Sequence, residues 1–288
     1  MLEKIKLRPT LTCPCGEKNL KTEFFYSKRP KGETKFEIGN KKYYRYYESC
    51  TLCNHWFGKC NIDVNHFYKK DYSKATYGNI LDINKTFNKI INLPYSKSDN
   101  KHRVKRVISF YNKNFNFVKK KRALIDFGSG IGVFPFSMKH LGWNVTSIEK
   151  GIHFHSHLKN FLKIKSFKSN LENLKKELKK KYDLLTFVKV LEHVLKPKDL
   201  LNQTKIYLKK KGIIYIEVPS ISAQKKGKDR EEFYIEHLHV FSKNSIKKLL
   251  LNCGFKILKL SDIIESSGKY TIYVFAKLDR LQNIRKFK

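Results

Sequence analysis

Three groups of residues in this chain have types and spacings that do chemistry. The first is Leu124-Ile125-Asp126-Phe127-Gly128-Ser129-Gly130-Ile131-Gly132, with Glu149 closing the next apolar run, Val145-Thr146-Ser147-Ile148-Glu149. Glycines at alternate positions after an apolar strand let the backbone turn tightly and approach a ligand too closely for any side chain to fit between. Glu149 follows Asp126 by 23 positions, near the roughly 20-residue offset at which a second-strand carboxylate receives ribose hydroxyls. The spacing is Gly-x-Gly-x-Gly, not the Gly-x-Gly-x-x-Gly that sets a helix onto a pyrophosphate. Asp126, two residues before the first glycine, would repel a diphosphate but suits a cofactor with a cationic amine and a sulfonium. The pattern predicts an S-adenosylmethionine site built from Asp126, Gly128, Ser129, Gly130, Gly132 and Glu149.

The second group lies further along. Val190-Leu191-Glu192-His193-Val194 follows an apolar run, so His193 is expected to face the crevice at a strand end. Arg230-Glu231-Glu232-Phe233-Tyr234-Ile235-Glu236-His237-Leu238-His239-Val240-Phe241-Ser242 falls in a long connection, and connections of that length in a compact sheet are usually functional. His237 has the side chain whose ordinary pKa suits proton transfer near neutrality, with Glu236, Tyr234 and His193 placed to orient or assist it. His239 reads as structural, and Ser242 as the N-cap of the next helix.

The third group is Cys13-Pro14-Cys15-Gly16 with Cys50-Thr51-Leu52-Cys53, 34 residues apart. Close cysteine pairs on tight turns predict a four-thiolate zinc site on Cys13, Cys15, Cys50 and Cys53. Cys-x-Cys is tighter than the usual Cys-x-x-Cys, so Cys60, His55 and His66 stand as substitute ligands. A segment this small has little core of its own, which gives a structural metal a physical reason.

The elements that position these groups follow from the hydrophobic pattern. Residues 1–65 read as a cysteine-rich ribbon with short strands at Thr22–Tyr26 and Tyr43–Glu48. Residues 66–122 read as a connector that becomes helical after Ser98, with Val104, Val107, Ile108 and Tyr111 at helical spacing. Residues 123–288 alternate strand and helix. Strands are expected at Ala123–Phe127, Asn144–Glu149, Ser166–Asn170, Leu184–Lys189, Ile213–Val218, Phe255–Leu260 and Tyr270–Ala276. Helices fill the gaps at Val133–His140, Phe154–Leu162, Leu171–Lys180, Pro197–Lys209 and Lys243–Leu251. That rhythm predicts a doubly wound, mostly parallel Rossmann-like α/β sheet. The last two strands are too close for a helical crossover, so they should form an antiparallel hairpin.

Composition bounds the function. The chain has 288 residues and a formal net charge of +36, yet only nine of its 61 basic residues are arginine. Nucleic-acid readers lean on arginine's planar fork, so this lysine-rich balance reads as compositional drift more than as a dedicated RNA surface. A field of this sign also attracts anionic small substrates. No apolar run approaches the ~20 residues of a membrane span, and Met1-Leu2-Glu3-Lys4-Ile5-Lys6 lacks a signal-peptide core, so a cytoplasmic protein is expected.

Taken together, Ile125-Asp126-Phe127-Gly128-Ser129-Gly130, Leu191-Glu192-His193, Glu217-Val218-Pro219 and the Tyr-x-Glu-His-x-His-x-Phe-Ser of 234–242 resemble class I S-adenosylmethionine-dependent methyltransferases. More narrowly they resemble the sugar and surface-polysaccharide branch, whose members include sugar C-methyltransferases with an N-terminal zinc segment. The resemblance implies that Asp126, Gly128 and Gly130 contact the amino-acid half of the cofactor and that Glu149 binds its ribose. It further implies that Asn170 and Leu171 flank the adenine, that Lys189 meets the methionine moiety, and that Tyr234, Glu236 and His237 line the sugar site. Those enzymes carry an additional C-terminal domain for which this chain has no counterpart after its last strand, so O- and C-methylation both stay open.

Two other readings stay open as well. Some rRNA and tRNA methyltransferases pair a zinc module with this fold. The fourth strand here, however, lacks the Asn/Asp-Pro-Pro-aromatic motif of amino-directed enzymes and has no cysteine near its end. A non-enzymatic zinc-bearing scaffold is opposed by the intact glycine loop, Glu149 and the Glu-His clusters.

Overall fold

The computed structural model describes residues 11–34, 42–61, 80–115, 122–168 and 171–279. In chain order its elements are β1 (Leu20–Tyr26), β2 (Arg45–Cys50), β3 (Trp56–Cys60), α1 (Ile80–Ile91), α2 (Asp99–Asn114) and β4 (Ala123–Phe127). Next come α3 (Val133–His140), β5 (Asn144–Ile148), α4 (Ile152–Ser156), β6 (Lys165–Phe167), α5 (Leu171–Glu177) and β7 (Tyr182–Val188). The chain continues with α6 (Pro197–Thr204), β8 (Leu208–Pro219), β9 (His239–Val240), α7 (Lys243–Asn252), β10 (Phe255–Ile264) and β11 (Tyr270–Leu278).

Strand β4 is buried at every position, as a central strand covered on both faces must be. It sits in a seven-stranded sheet of order β10-β11-β8-β7-β4-β5-β6. Strands β8, β7, β4, β5 and β6 run parallel, while β11 is antiparallel to both β8 and β10. This is the expected doubly wound sheet with its antiparallel hairpin. One face packs Phe127, Phe187, Ile214 and Val274 against Leu174, Leu201 and Ile246 of α5, α6 and α7. The other packs Leu124, Leu184, Tyr215 and Phe275 against Phe87, Val107 and Phe134 of α1, α2 and α3. Ser98 caps α2, its hydroxyl accepting from the Lys101 amide, and Ser242 with Ser245 closes a capping box on α7.

The N-terminal strands form a second sheet, of order β1-β2-β3-β9. Strands β3 and β9 do not stand out in the sequence: β3 is five residues with a glycine at its middle, and β9 is two. Pairing of Trp56 with Val240 and of Phe57 with His239 makes the connection after β8 the fourth strand of the ribbon. Strand β8 also begins at Leu208, earlier than the apolar run at Ile213 suggests, because its exposed first half, Lys209–Lys211, carries no inward pattern. The helix expected over 154–162 starts at Ile152 and changes to a π-type turn over His157–Phe161. Among the described residues no helix is long and apolar enough to cross a membrane.

Candidate active site

Strand β4 delivers its loop to the carboxyl edge of the sheet, where open α/β sheets bind ligands. Gly128, Gly130 and Gly132 all have positive φ, at +68°, +51° and +77°. They do different work. A Cβ on Gly128 would lie 2.7 Å from Val190 Cγ2, and one on Gly132 would lie 2.6 Å from Leu158 and Leu162. Both therefore serve close packing. A Cβ on Gly130 would meet none of the described residues within 4 Å. Its amide donates to Glu149 Oε2 at 2.8 Å, and the Gly151 amide donates to Oε1 at 2.8 Å. Burial raises the Glu149 carboxyl pKa, partly offset by those amides.

Asp126 is buried at the root of the loop. Thr186 Oγ1 donates to its Oδ1 at 2.5 Å, and Ser129 Oγ bonds its backbone carbonyl at 3.1 Å. Burial pushes its carboxyl up to about 6. An acidic group at the loop and a second carboxylate fixed beside Gly130 suit a cofactor with a cationic amino-acid end and a ribose diol. Lys189, at the end of β7, holds φ +57°, an uncommon conformation for a side chain that long. Its ammonium meets Thr271 Oγ1 and, at 3.5 Å, Glu265. Asn170 lies outside the described residues, and Leu171 opens α5.

The turn after Lys189 and the 231–239 loop bring the Glu-His residues together. One nitrogen of His193, one of His237 and a carboxylate oxygen of Glu192 lie within 4.8 Å of one another. His193 Nδ1–H donates to the Glu236 carbonyl at 2.9 Å, and His237 Nδ1–H donates to the Glu232 carbonyl at 3.0 Å. Both imidazoles are kept neutral by burial, His193 down to about 4 and His237 well below its usual value. Glu192 beneath them is fully buried, and burial raises its pKa to about 8. The Leu-Glu-His triplet was visible in the sequence, but only His193 of it was given a role there.

Tyr234 and Glu236 are close in sequence to His237 but turn toward the ribbon. The Tyr234 hydroxyl donates to the Lys31 carbonyl at 2.9 Å, and Thr34 Oγ1 donates to Glu236 Oε1 at 3.3 Å. Burial raises the Glu236 carboxyl to about 7. The ribbon grips this loop elsewhere too. The Tyr47 hydroxyl donates to the His237 carbonyl at 2.7 Å, Arg45 NH1 to Phe233 O at 2.6 Å, and the Ile235 amide to Glu33 Oε1 at 2.8 Å. His55 and His239 are buried together, joined Nε2 to Nδ1 at 2.9 Å, with Ser245 on the far side of His55. That engagement removes His55 from the thiol cluster.

Cys13, Cys15, Cys50 and Cys53 converge at the ribbon's end, with Sγ–Sγ distances of 3.3 Å (Cys13–Cys15 and Cys13–Cys53) and 3.5 Å (Cys15–Cys50). Hydrogen bonding from Cys13 holds the Cys53 thiol down at about 5, so a thiolate is available. The four sulfurs suit zinc in both number and type. Cys60 is buried outside this group, and His66 lies outside the described residues.

A doubly wound sheet with an antiparallel edge hairpin, and a glycine loop facing a second-strand carboxylate, defines a class I S-adenosylmethionine-dependent methyltransferase. Residues 99–260 match the methyltransferase domain family, and the chain belongs to it. No protein of curated function matches it by sequence. Among solved structures it is similar to magnesium protoporphyrin IX methyltransferase from Synechocystis with bound S-adenosylhomocysteine. That match has 14% identity and a TM-score of 0.55, and covers 74% of this chain and 100% of the other. It is also similar to an S-adenosylmethionine-dependent methyltransferase from Clostridium acetobutylicum, at 14% identity and TM-score 0.52, over 69% and 98% of the two chains.

Proposed function

We propose that this methyltransferase acts on a sugar or nucleotide-sugar acceptor, by O- or C-methylation, in cytoplasmic steps of surface-polysaccharide synthesis. The observation that carries the reading is the pair His193 and His237, their rings 4.9 Å apart and each with Nδ1 held by a main-chain carbonyl, on the turn whose Val190 packs on Gly128 of the glycine loop. With its Nδ1–H donated, His237 presents Nε2 to the acceptor's proton. S-adenosylmethionine supplies the electrophilic methyl group when bound. Asp126, Gly128, Ser129, Gly130 and Glu149 hold it, with Gly132 packing the loop, Asn170 and Leu171 at the adenine and Lys189 at the methionine end. His237 draws off the acceptor's proton, His193 lies beside it, and Glu236 and Tyr234 hold the loop at its angle. The thiols of residues 1–65 bind a structural zinc, residues 66–122 connect, and residues 123–288 carry the reaction.

Arginine usage supports a small acceptor over RNA. Arg45 and Arg103 are buried in ion pairs, and Arg230 is paired with Glu232, so these forks do not face a polyanion. The test is S-adenosylhomocysteine release with a panel of nucleotide sugars and with tRNA and rRNA. We expect turnover with a nucleotide sugar, and we expect His237→Ala to lose about 10²–10⁴ of it while S-adenosylhomocysteine affinity holds. Turnover on RNA alone would overturn the sugar reading, and an active His237→Ala would remove His237 from the proton's path.

A further inference from the structure

The buried carboxylate beside the histidine pair has no hydrogen-bond partner among the described residues. Glu192 is 0% exposed, and among the described residues neither of its oxygens has a hydrogen-bond partner. Lys189, whose charge reaches it, gives its ammonium to Thr271 and Glu265. A buried carboxylate without hydrogen bonds is costly unless it takes up a proton or a cation completes it. Lys189, Glu217 and Glu265 act on it through their charges, and within 4.8 Å of its carboxylate lie nitrogens of two imidazoles, each with Nδ1 committed to a main-chain carbonyl. That arrangement orients metal-ligating histidines: the donated N–H fixes the ring and presents Nε2 as ligand.

From this geometry we propose that Glu192, His193 and His237 hold a divalent transition metal, separate from the thiolate site, whose remaining coordination positions bind an oxygen of the acceptor. The three candidate ligand atoms already lie within 4.8 Å of one another, so contraction onto an ion needs only side-chain adjustment. Glu192 is fixed from behind, its carbonyl accepting from the Leu238 amide at 2.8 Å. Its side chain is fully buried, while both histidines are partly exposed. Two imidazoles and one carboxylate suit Mn²⁺, Fe²⁺, Co²⁺ or Zn²⁺, and leave positions for substrate. An acceptor hydroxyl bound there is acidified by the ion and releases its proton to solvent. This rests on the acceptor-side reading of His193 and His237 above and refines it: the lone pair of His237 goes to the ion, and the ion acts on the acceptor's proton.

The test separates the two metal sites by their spectra. The full chain, dialysed against EDTA until one zinc per chain remains on the thiolates, is titrated with Co²⁺ alone by calorimetry and absorbance. We expect one equivalent to bind with ligand-field bands but no thiolate-to-cobalt charge-transfer band. Glu192→Gln and, independently, His193→Asn should weaken it by about ten-fold or more, with circular dichroism unchanged. Two results overturn the proposal: no Co²⁺ uptake outside the thiolates by wild type, or both variants binding as wild type does. S-adenosylhomocysteine titration of the same sample tells failure of the metal site from failure of the enzyme reading. Cofactor binding without cobalt uptake sinks only the metal, whereas a chain that binds neither sinks both.

Discussion

At the scale of single residues, two carboxylates one strand apart have been given different environments. Asp126 is enclosed and held near 6, its hydrogen bond coming from Thr186 of the neighbouring strand. Glu149 instead rests on two glycine amides, those of Gly130 and Gly151. Such a carboxylate is oriented before any ligand arrives, so a ribose diol bonding to it loses little ordering entropy. Hydrogen bonds to a charged group are worth roughly 1.5–3 kcal/mol, so Glu149→Ala should weaken S-adenosylhomocysteine by about 10–100-fold in calorimetry. Unchanged affinity would mean that the ribose is held elsewhere. The offset from Asp126 singled out Glu149 in the sequence. Glu192 was not singled out, because its significance is the absence of hydrogen-bond partners among the described residues, and only the packing of β7's end against the 231–239 loop shows that.

At the scale of elements, the ribbon and the 231–239 loop are one construction. Strand β3 donates the Gly58 amide to Leu238 O at 3.0 Å, and a Cβ on Gly58 would come within 2.6 Å of the His237 carbonyl. Only glycine permits this approach. Gly58→Ala must push His237 outward, and a displacement of about 1 Å at a reacting group can cost roughly 100-fold in turnover. We expect the loss in kcat, with S-adenosylhomocysteine affinity retained because β4 and β5 are untouched. Loss of both together would show that the ribbon supports the whole fold and not this loop. The parallel strands were readable because each is a buried apolar run between turn signals, and the hairpin because nine residues cannot make a crossover. The pairing of β3 with β9 was not readable. Two residues of strand carry no period, and their partner lies about 180 positions away, so only tertiary contact specifies them.

At the scale of the molecule, a formal charge of +36 means that acid adds repulsion to a chain already strongly positive, so its buried anions carry unusual weight. Glu217 on β8 is the central one. Arg103 Nε of α2 donates to Oε2 at 2.7 Å, Arg106 NH1 to Oε1 at 2.5 Å, and the Tyr215 hydroxyl to Oε1 as well. Arg103 also reaches Glu265 beyond β10, so one guanidinium joins α2 to both sheet elements at the cofactor end. Burial alone would raise the Glu217 pKa, but Arg103, Lys189, Arg106 and the Tyr215 hydroxyl outweigh it and hold the carboxyl at about 2, below its usual 4.5. A depressed carboxylate pKa means that the folded state favours the ion. Its stabilisation is complete above pH 4.5 and disappears as pH falls from there through about 2. The shift corresponds to about 3 kcal/mol. Urea midpoints for wild type should fall across that window more steeply than for Glu217→Gln, which has no proton to gain there. At neutral pH the variant should be less stable by about 3–5 kcal/mol, because Arg103 stays buried without its main partner. Equal slopes in wild type and variant would show that other carboxylates govern acid unfolding and that α2 is anchored by its apolar face, through Val107 and Tyr111, without help from the ion pair.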